Sequence, residues 1–246
     1  MEVFLSDKNE SLSKVIDTLY IAARTCYCGK DYHELLKEAE EKPLEDKIKL
    51  VKKVMDSGHC SVTEHVSFTY NITGISRSCS HQLVRNRIAS YSQASQRYIC
   101  YEGKPFKYVV PPEIGNNKEL LKMYDDFMKS SKEMYDKLIE ADIKAEDARF
   151  VLPNAAETNI TMTMNIRELM HVMGLRLCHR AQWEIRQLFE KIQAITVAVY
   201  PFLEDYLQPN CIQIGFCPEN NGTNGSCGFY PRKSEIMKVY KDYQNH

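Results

Sequence analysis

Twice in this chain, a stretch that alternates every second residue passes directly into one with helical spacing. The first is "HVSFTYNITG", residues 65 to 74, rich in β-branched and aromatic side chains, which predicts a strand. From Ile75 the apolar positions 75, 79 and 83 take up helical spacing, predicting a helix over 75 to 87. The second is "TNITMTMN", 158 to 165, a predicted strand that "IRELMHVMGLRL" continues as a helix. Chains built from such units bury their apolar faces by laying helices against a sheet.

The remaining pattern fills in around these two units. Helices are predicted over 11 to 28, from Pro43 to about Gly58, from about Glu119 to Ala141, and from about Ala181 to Val199. The charge-dense "YHELLKEAEEK" reads as a solvated helix face or a loop, and "RYICYE", 97 to 102, as another strand. The fold class expected is α/β (α+β): a single mixed domain over residues 1–246, with a central sheet flanked by long helices and a loop-rich tail from about 207. A hydrophobic fraction of 43% is enough to fill such a core.

Charge excludes some functions. Lys and Arg total 32 against 33 Asp and Glu, so the molecule as a whole has no long-range pull toward nucleic acid or an anionic membrane. "AITVAVYPFL" is too short to span a bilayer, and "MEVFLSDKNE" lacks the features of a signal peptide, so a cytoplasmic location is expected. Nine cysteines in that setting read as reduced thiols. Cys26-x-Cys28, and Cys211 with Cys217 and Cys227, lack paired CxxC knuckles, so no metal is expected.

Local charge is another matter. From His65 to Tyr101 there is no Asp or Glu, yet Arg77, Arg85, Arg87 and Arg97 all lie there. Their planar forks suit phosphate, and the hydroxyl and amide side chains beside them favour a phosphorylated ligand over an RNA strand. On a helix over 75 to 87, Gln82 and Arg85 would share a face while Arg85 and Arg87 diverge by roughly 200°. On an extended 93 to 98, Gln93, Ser95 and Arg97 would point one way. The absence of GxGxxG and Walker loops leaves dispersed side chains to bind any cofactor.

Four segments carry a more specific signal. Arg85-x-Arg87, then seven residues, then Ser95 and Arg97, resembles the RHRxxSxNxxSxR signature of the flavin-dependent thymidylate synthases. "GHCSVTEH" at 58 to 65, "ARFVLP" at 148 to 153, and "NIRELMHVMGLRL" through "AQWEIR" are similar to further elements of that family, in the right order. Asn86 stands where the signature has histidine, Ser92 where it has Asn, and Gln93 where a Glu is usual. Asn86 can donate and accept hydrogen bonds but cannot carry charge.

The resemblance implies methylation of dUMP to dTMP, with 5,10-methylenetetrahydrofolate as carbon donor and NADPH reducing a bound FAD, in a homotetramer whose active sites combine several subunits. It also implies a dUMP site of Gln82, Arg85, Gln93, Ser95, Arg97, Arg149 and Arg176, with the adjoining Leu83, Val84, Ala94 and Gln96. The flavin would be held by Ser61, Arg85, Asn86, Arg87, Gln93, Asn165, Ile166, Arg167 and His171. The residues themselves fit a reaction without a cysteine nucleophile. Cys60 and Cys178 are the cysteines near the polar cluster, and neither has an evident cation or metal to make it a thiolate. Arg176 would then activate the ring by stabilising negative charge at the uracil N3 and O2 edge. Ser95 reads as a ligand-binding hydroxyl, His59 and His65 as hydrogen-bonding residues of the flavin pocket, and Trp183 as core. The alternative is a non-catalytic or impaired homologue that binds the nucleotides without turnover.

Overall fold

The computed structural model describes residues 1–6, 10–219 and 225–237. These form two compact units, one of Met1–Phe4 with Tyr70–Met162, the other of Leu5–Thr69 with the chain from Thr163 onward. Four strands, β1 (Glu2–Leu5), β2 (Ser67–Ser76), β3 (Ala89–Gln93) and β4 (Glu157–Asn165), make an antiparallel sheet in the order β1-β2-β4-β3.

The period-two patterns are met residue by residue. Phe68, Tyr70 and Ile72 of β2 are buried while Ser67 and Asn71 are exposed, and Thr158, Ile160, Met162 and Met164 of β4 are all buried. On the polar face, Thr69 and Thr163 hydroxyls meet at 2.8 Å and Thr161 donates to Asn71 Oδ1 at 2.9 Å. Each strand then turns into a helix at a capping side chain. Ser76 accepts from the Cys79 N–H at 2.9 Å to open α4 (Arg77–Leu83), and Asn165 accepts from the Glu168 N–H at 2.8 Å to open α8 (Ile166–Arg176). These caps satisfy amide donors that the first turn leaves free, which is why the period changes there.

The first unit also holds α5 (Pro112–Gly115), α6 (Lys118–Glu140) and α7 (Ala145–Ala148), with Met128 and Tyr135 of α6 buried. The second holds α1 (Leu12–Thr25), α2 (Tyr32–Glu41), α3 (Leu44–Asp56), α9 (Trp183–Val199) and the short α10 (Asn210–Ile214). Phe68 stacks on Tyr200 in its core, with ring centroids 4.5 Å apart. Among the described residues no helix is long and apolar enough to cross a membrane.

Several expectations need correction. Of the two readings of 32 to 42 the helix holds and the loop does not: Asp31 and Glu34 form a capping box that opens α2, which is mostly exposed but buries Leu35 and Ala39. "RYICYE" is not a strand, because Tyr98 and Ile99 give their N–H groups to the Ser95 carbonyl and Tyr101 gives its own to the Tyr135 hydroxyl. Trp183 is half-buried at the start of α9 rather than in the core. The four-residue β1 is too short to show a period. Part of the tail from 207 lies outside the described residues, and the rest includes α10 and a bridge between Cys217 and Arg232.

One polar cluster ties α1 to α2. Glu38 accepts from Lys30 at 2.7 Å and from the Tyr20 hydroxyl at 2.5 Å, with Arg24 Nε 3.3 Å away. Those bonds, Lys30's first, lower the Glu38 carboxyl from 4.5 to about 2, while burial and then Glu38 push Tyr20 up to about 12. A carboxyl lowered on folding stabilises the fold above its unfolded value, and that contribution drains away as pH falls from about 4.5 to about 2. Glu38→Gln is therefore expected to flatten the acid limb of stability over this window. Denaturation midpoints measured between pH 5 and pH 2 check it, and an unchanged slope would refute it.

Candidate active site

In the first unit, α4 starts two residues after the expected helix, Ile75 and Ser76 still belonging to β2, and ends at Leu83, four residues short, where side chains capture the Leu83 carbonyl. The Leu83 carbonyl accepts from Asn86 Nδ2 at 2.8 Å and from the Tyr91 hydroxyl at 3.0 Å, and that hydroxyl also lies 2.9 Å from the Asn86 carbonyl. The 200° divergence of Arg85 and Arg87 on one helix therefore does not apply, since both lie beyond it. Asn86 is 8% exposed and works as a helix stop. Asn86→Ala is expected to cost about 0.5–1.5 kcal/mol in a denaturant melt, since the Leu83 carbonyl loses one of its donors and keeps the Tyr91 hydroxyl. A loss under about 0.5 kcal/mol would show that Tyr91 suffices.

Arg85 and Arg87 are exposed, and neither pairs with a carboxylate among the described residues. Gln82 is half-buried, Val84 is exposed, and the Leu83 side chain lies wholly in the core, so Leu83 offers a ligand only backbone. Next, β3 delivers Gln93, whose Nε2 donates to Ser80 Oγ at 2.8 Å and lies 3.2 Å from Thr158 Oγ1. The chain after β3 is a turn and not extended. Ser95 Oγ accepts from the Arg97 N–H at 3.2 Å, so Gln93, Ser95 and Arg97 do not project as alternate strand residues. Ala94 and Gln96 are half-buried between them.

Here the structure gathers three guanidinium groups. Arg97 Nε donates to Glu146 Oε2 at 2.6 Å, and Arg149 Nε donates to the Glu146 carbonyl at 2.9 Å. Arg77 Nη1 reaches the Ala94 carbonyl at 3.4 Å. Burial first, and then the nearby Arg149, lower its pKa, which is how a cation responds to desolvation beside another. Arg77 stood out in the acid-free stretch but had no place in the expected site. Its spacing from the RxR motif hides a proximity that only the turn after β3 creates. Arg97, by contrast, has the internal carboxylate partner that the acid-free stretch withheld. That pair is 55% and 33% exposed, so it is worth about 0–1 kcal/mol and yields readily to a dianion.

In the second unit, Ser61 is exposed in a 3₁₀ turn, Cys60–His65, that also bears Glu64. Arg167, 54% exposed, pairs with Glu64. His171 is one turn further along α8 and also exposed. Asn165 is the α8 cap, and Ile166 is fully buried. Burial raises the Glu168 carboxyl, with His171 opposing. His59 sets its ring edge-on to Tyr27, 6.2 Å away, while His65 is exposed. Arg176, the last residue of α8, lines a cavity of about 320 Å³, and its Nε is buried without a hydrogen-bond partner among the described residues. Cys60 offers its thiol to the Met55 carbonyl at 3.9 Å. Burial first, and then the neighbouring thiols Cys178, Cys227 and Cys217, hold Cys211 above the ordinary thiol value. That upward shift disfavours the thiolate that a nucleophile would need at Cys211.

A solved structure shares the fold. A UMP/dUMP methylase, PolB from Streptomyces cacaoi, solved with 5-Br dUMP, superposes with a TM-score of 0.66 at 22% identity, covering 83% of this chain and 93% of that one. The mixed α/β fold is thus shared with that protein. Residues 11–202 match the family model described as thymidylate synthase complementing protein. Flavin-dependent thymidylate synthases from Geobacter sulfurreducens (43% identical, 90% of this chain and 91% of the relative) and Pyrococcus horikoshii (47%, 68% and 71%) are among the similar sequences. The chain belongs to the flavin-dependent thymidylate synthase family.

Proposed function

We propose that this chain reductively methylates dUMP to dTMP, taking the carbon from 5,10-methylenetetrahydrofolate and the hydride from NADPH through FAD. The observation that supports the reading beyond family membership is that Arg97 pairs with the Glu146 carboxylate, Arg149 donates to the Glu146 backbone carbonyl, and Arg77 lies near enough to Arg149 to feel its charge, three cations that a phosphate would suit. Ser95 and Gln93 add a hydroxyl and an amide at its edge, and Gln82, Arg85 and the backbone of Leu83, Val84, Ala94 and Gln96 complete the deoxyuridylate contacts. Arg176 would hold the pyrimidine. A fixed guanidinium favours the ionised N3–O2 edge, which enriches C5 without a cysteine adduct.

The donor chemistry also fits FAD, because Arg85 and Arg87 offer a pyrophosphate exposed guanidiniums with no carboxylate partner among the described residues. Bound FAD supplies the relay of hydride from NADPH. Ser61, Arg85, Asn86, Arg87, Gln93, Asn165, Ile166, Arg167 and His171 would hold it, with Arg167 kept in place by Glu64. Asn86 would add no charge there, because its side chain is a neutral amide, and its Nδ2 already donates to the Leu83 carbonyl.

We place the active enzyme in the cytoplasm as a homotetramer. Leu120, Met123, Phe127 and Met134, 47 to 64% exposed, run along one face of α6, a surface suited to another subunit. The test is tritium release from 5-tritiated dUMP by flavin-loaded protein. Sustained release that needs both folate and NADPH is the expected result. Tight dUMP binding with no release would instead make the chain a nucleotide-binding homologue.

A further inference from the structure

The cavity of about 320 Å³ beside Arg176 takes its whole lining from the second unit. A mostly apolar space of that size with a few polar groups around it is the usual setting for a small ligand. The end of α8 makes one wall, and the tail makes another through Cys217, Pro218, Cys227 and Tyr230. Side chains just past α8 fasten the tail in place. Arg180 donates to the Gly225 carbonyl, and His179 stacks on Phe229 with ring centroids 4.5 Å apart.

Two polar groups of this lining are left unspent by the fold. Arg176 Nε is buried without a hydrogen-bond partner among the described residues. Asn210, the first residue of α10, is half-buried, and its amide makes no hydrogen bond among them either. Gly174 sets how that amide lies. A Cβ on Gly174 would stand 2.0 Å from Asn210 Oδ1 and 3.4 Å from Nδ2, so Oδ1 rests against α8 and Nδ2 is the end turned from it. Glycine inside a helix costs about 1 kcal/mol relative to alanine, and here it makes the room that Asn210 occupies.

A second donor answers a problem that Arg176 alone leaves open. A guanidinium laid along the N3 and O2 edge of a pyrimidine meets two acceptors in cytosine, but in uracil only once N3 has lost its proton. Arg176 therefore gives no preference for uracil. The two bases differ at C4, where uracil carries an acceptor oxygen and cytosine a donor amino group. A donor placed there pairs with the oxygen, whereas against the amino group both are left without a partner. Among the other polar lining residues, Arg180 is turned to Gly225, Glu219 can only accept when ionised, and the Tyr230 hydroxyl suits either base.

We infer that Asn210 reads the base: its Nδ2 donates to O4 of the pyrimidine that Arg176 holds, which selects a uracil nucleotide over a cytosine nucleotide. The assignment rests on the placement of the pyrimidine at Arg176 proposed above. It uses the cavity walls where they stand. Charge that develops on the ring spreads to O4, so the same donor also favours the ionised base. Position 210 carries no signal in the sequence, since its nearness to Gly174 arises only when α10 packs on α8.

The experiment is calorimetric titration of flavin-loaded, full-length protein with dUMP and with dCMP. The two share sugar and phosphate, so the ratio of their affinities reports the base alone. Wild type is expected to bind dUMP more tightly. Asn210→Ala should shrink that preference by about tenfold, the worth of one good hydrogen bond, by weakening dUMP and leaving dCMP nearly unchanged. Gly174→Ala should move the ratio the same way, because its methyl group displaces the Asn210 side chain. A merely structural role would weaken both nucleotides alike, so an unchanged ratio in Asn210→Ala overturns the assignment. A wild type without preference overturns it too. None of these readouts needs turnover. Protein that discriminates through Asn210 yet releases no tritium keeps the assignment and loses the synthase activity, and tritium release with an unchanged ratio does the reverse.

Discussion

Arg176→Ala is expected to lower turnover by about 10²–10³-fold while the protein keeps its bound flavin, the size of effect seen when one donor to a developing negative charge is removed. The proposed partner of Arg176 is the pyrimidine, and its charge matters most when the ring becomes anionic. The loss should therefore fall on kcat more than on flavin content. Arg176→Lys should recover little, because a point charge lacks the planar fork that spans two ring atoms. Flavin absorbance and single-turnover rates on the same preparations check this. Parallel loss of both quantities would move Arg176 from the ring to the cofactor, or to a purely structural place.

The second large effect concerns the second unit's folding. Lys47 of α3 is 4% exposed, pairs with Asp17 of α1, and donates to the Ala39 carbonyl at 2.8 Å. Asp17→Ala would leave a buried ammonium without its countercharge, at a cost of about 3–5 kcal/mol. The surviving bond to Ala39 argues for the lower end. Lys47→Met removes the charge along with the need for a partner and should cost much less. Urea melts of the two variants decide it. If Asp17→Ala is no worse than Lys47→Met, the ammonium must reach water, and the burial argument fails.

The two strand-to-helix units could be read directly, because Ser76 and Asn165 cap where the period changes and the alternation in β2 and β4 matches their burial. The ends of α4 and of the segment after β3 could not. What decides them is not propensity but the capture of the Leu83 carbonyl by Asn86 and Tyr91, and of backbone N–H groups by the Ser95 carbonyl and the Tyr135 hydroxyl. Those contacts join residues whose pairing leaves no periodic trace. The acid-free stretch suggests an anion site, yet it is silent on Glu146 and on the nearness of Arg77 to Arg149, both products of tertiary folding.

The cap at the start of α8 restricts what its own side chain can offer a ligand. Asn165 turns its carbonyl oxygen to the Glu168 N–H, so the group that remains is the NH₂, which can only donate. The NH₂ group of this residue can therefore meet only acceptors. An aspartate in its place would still start the helix but would set an oxygen where the NH₂ stands, so one substitution separates the folding role of position 165 from the recognition role proposed for it.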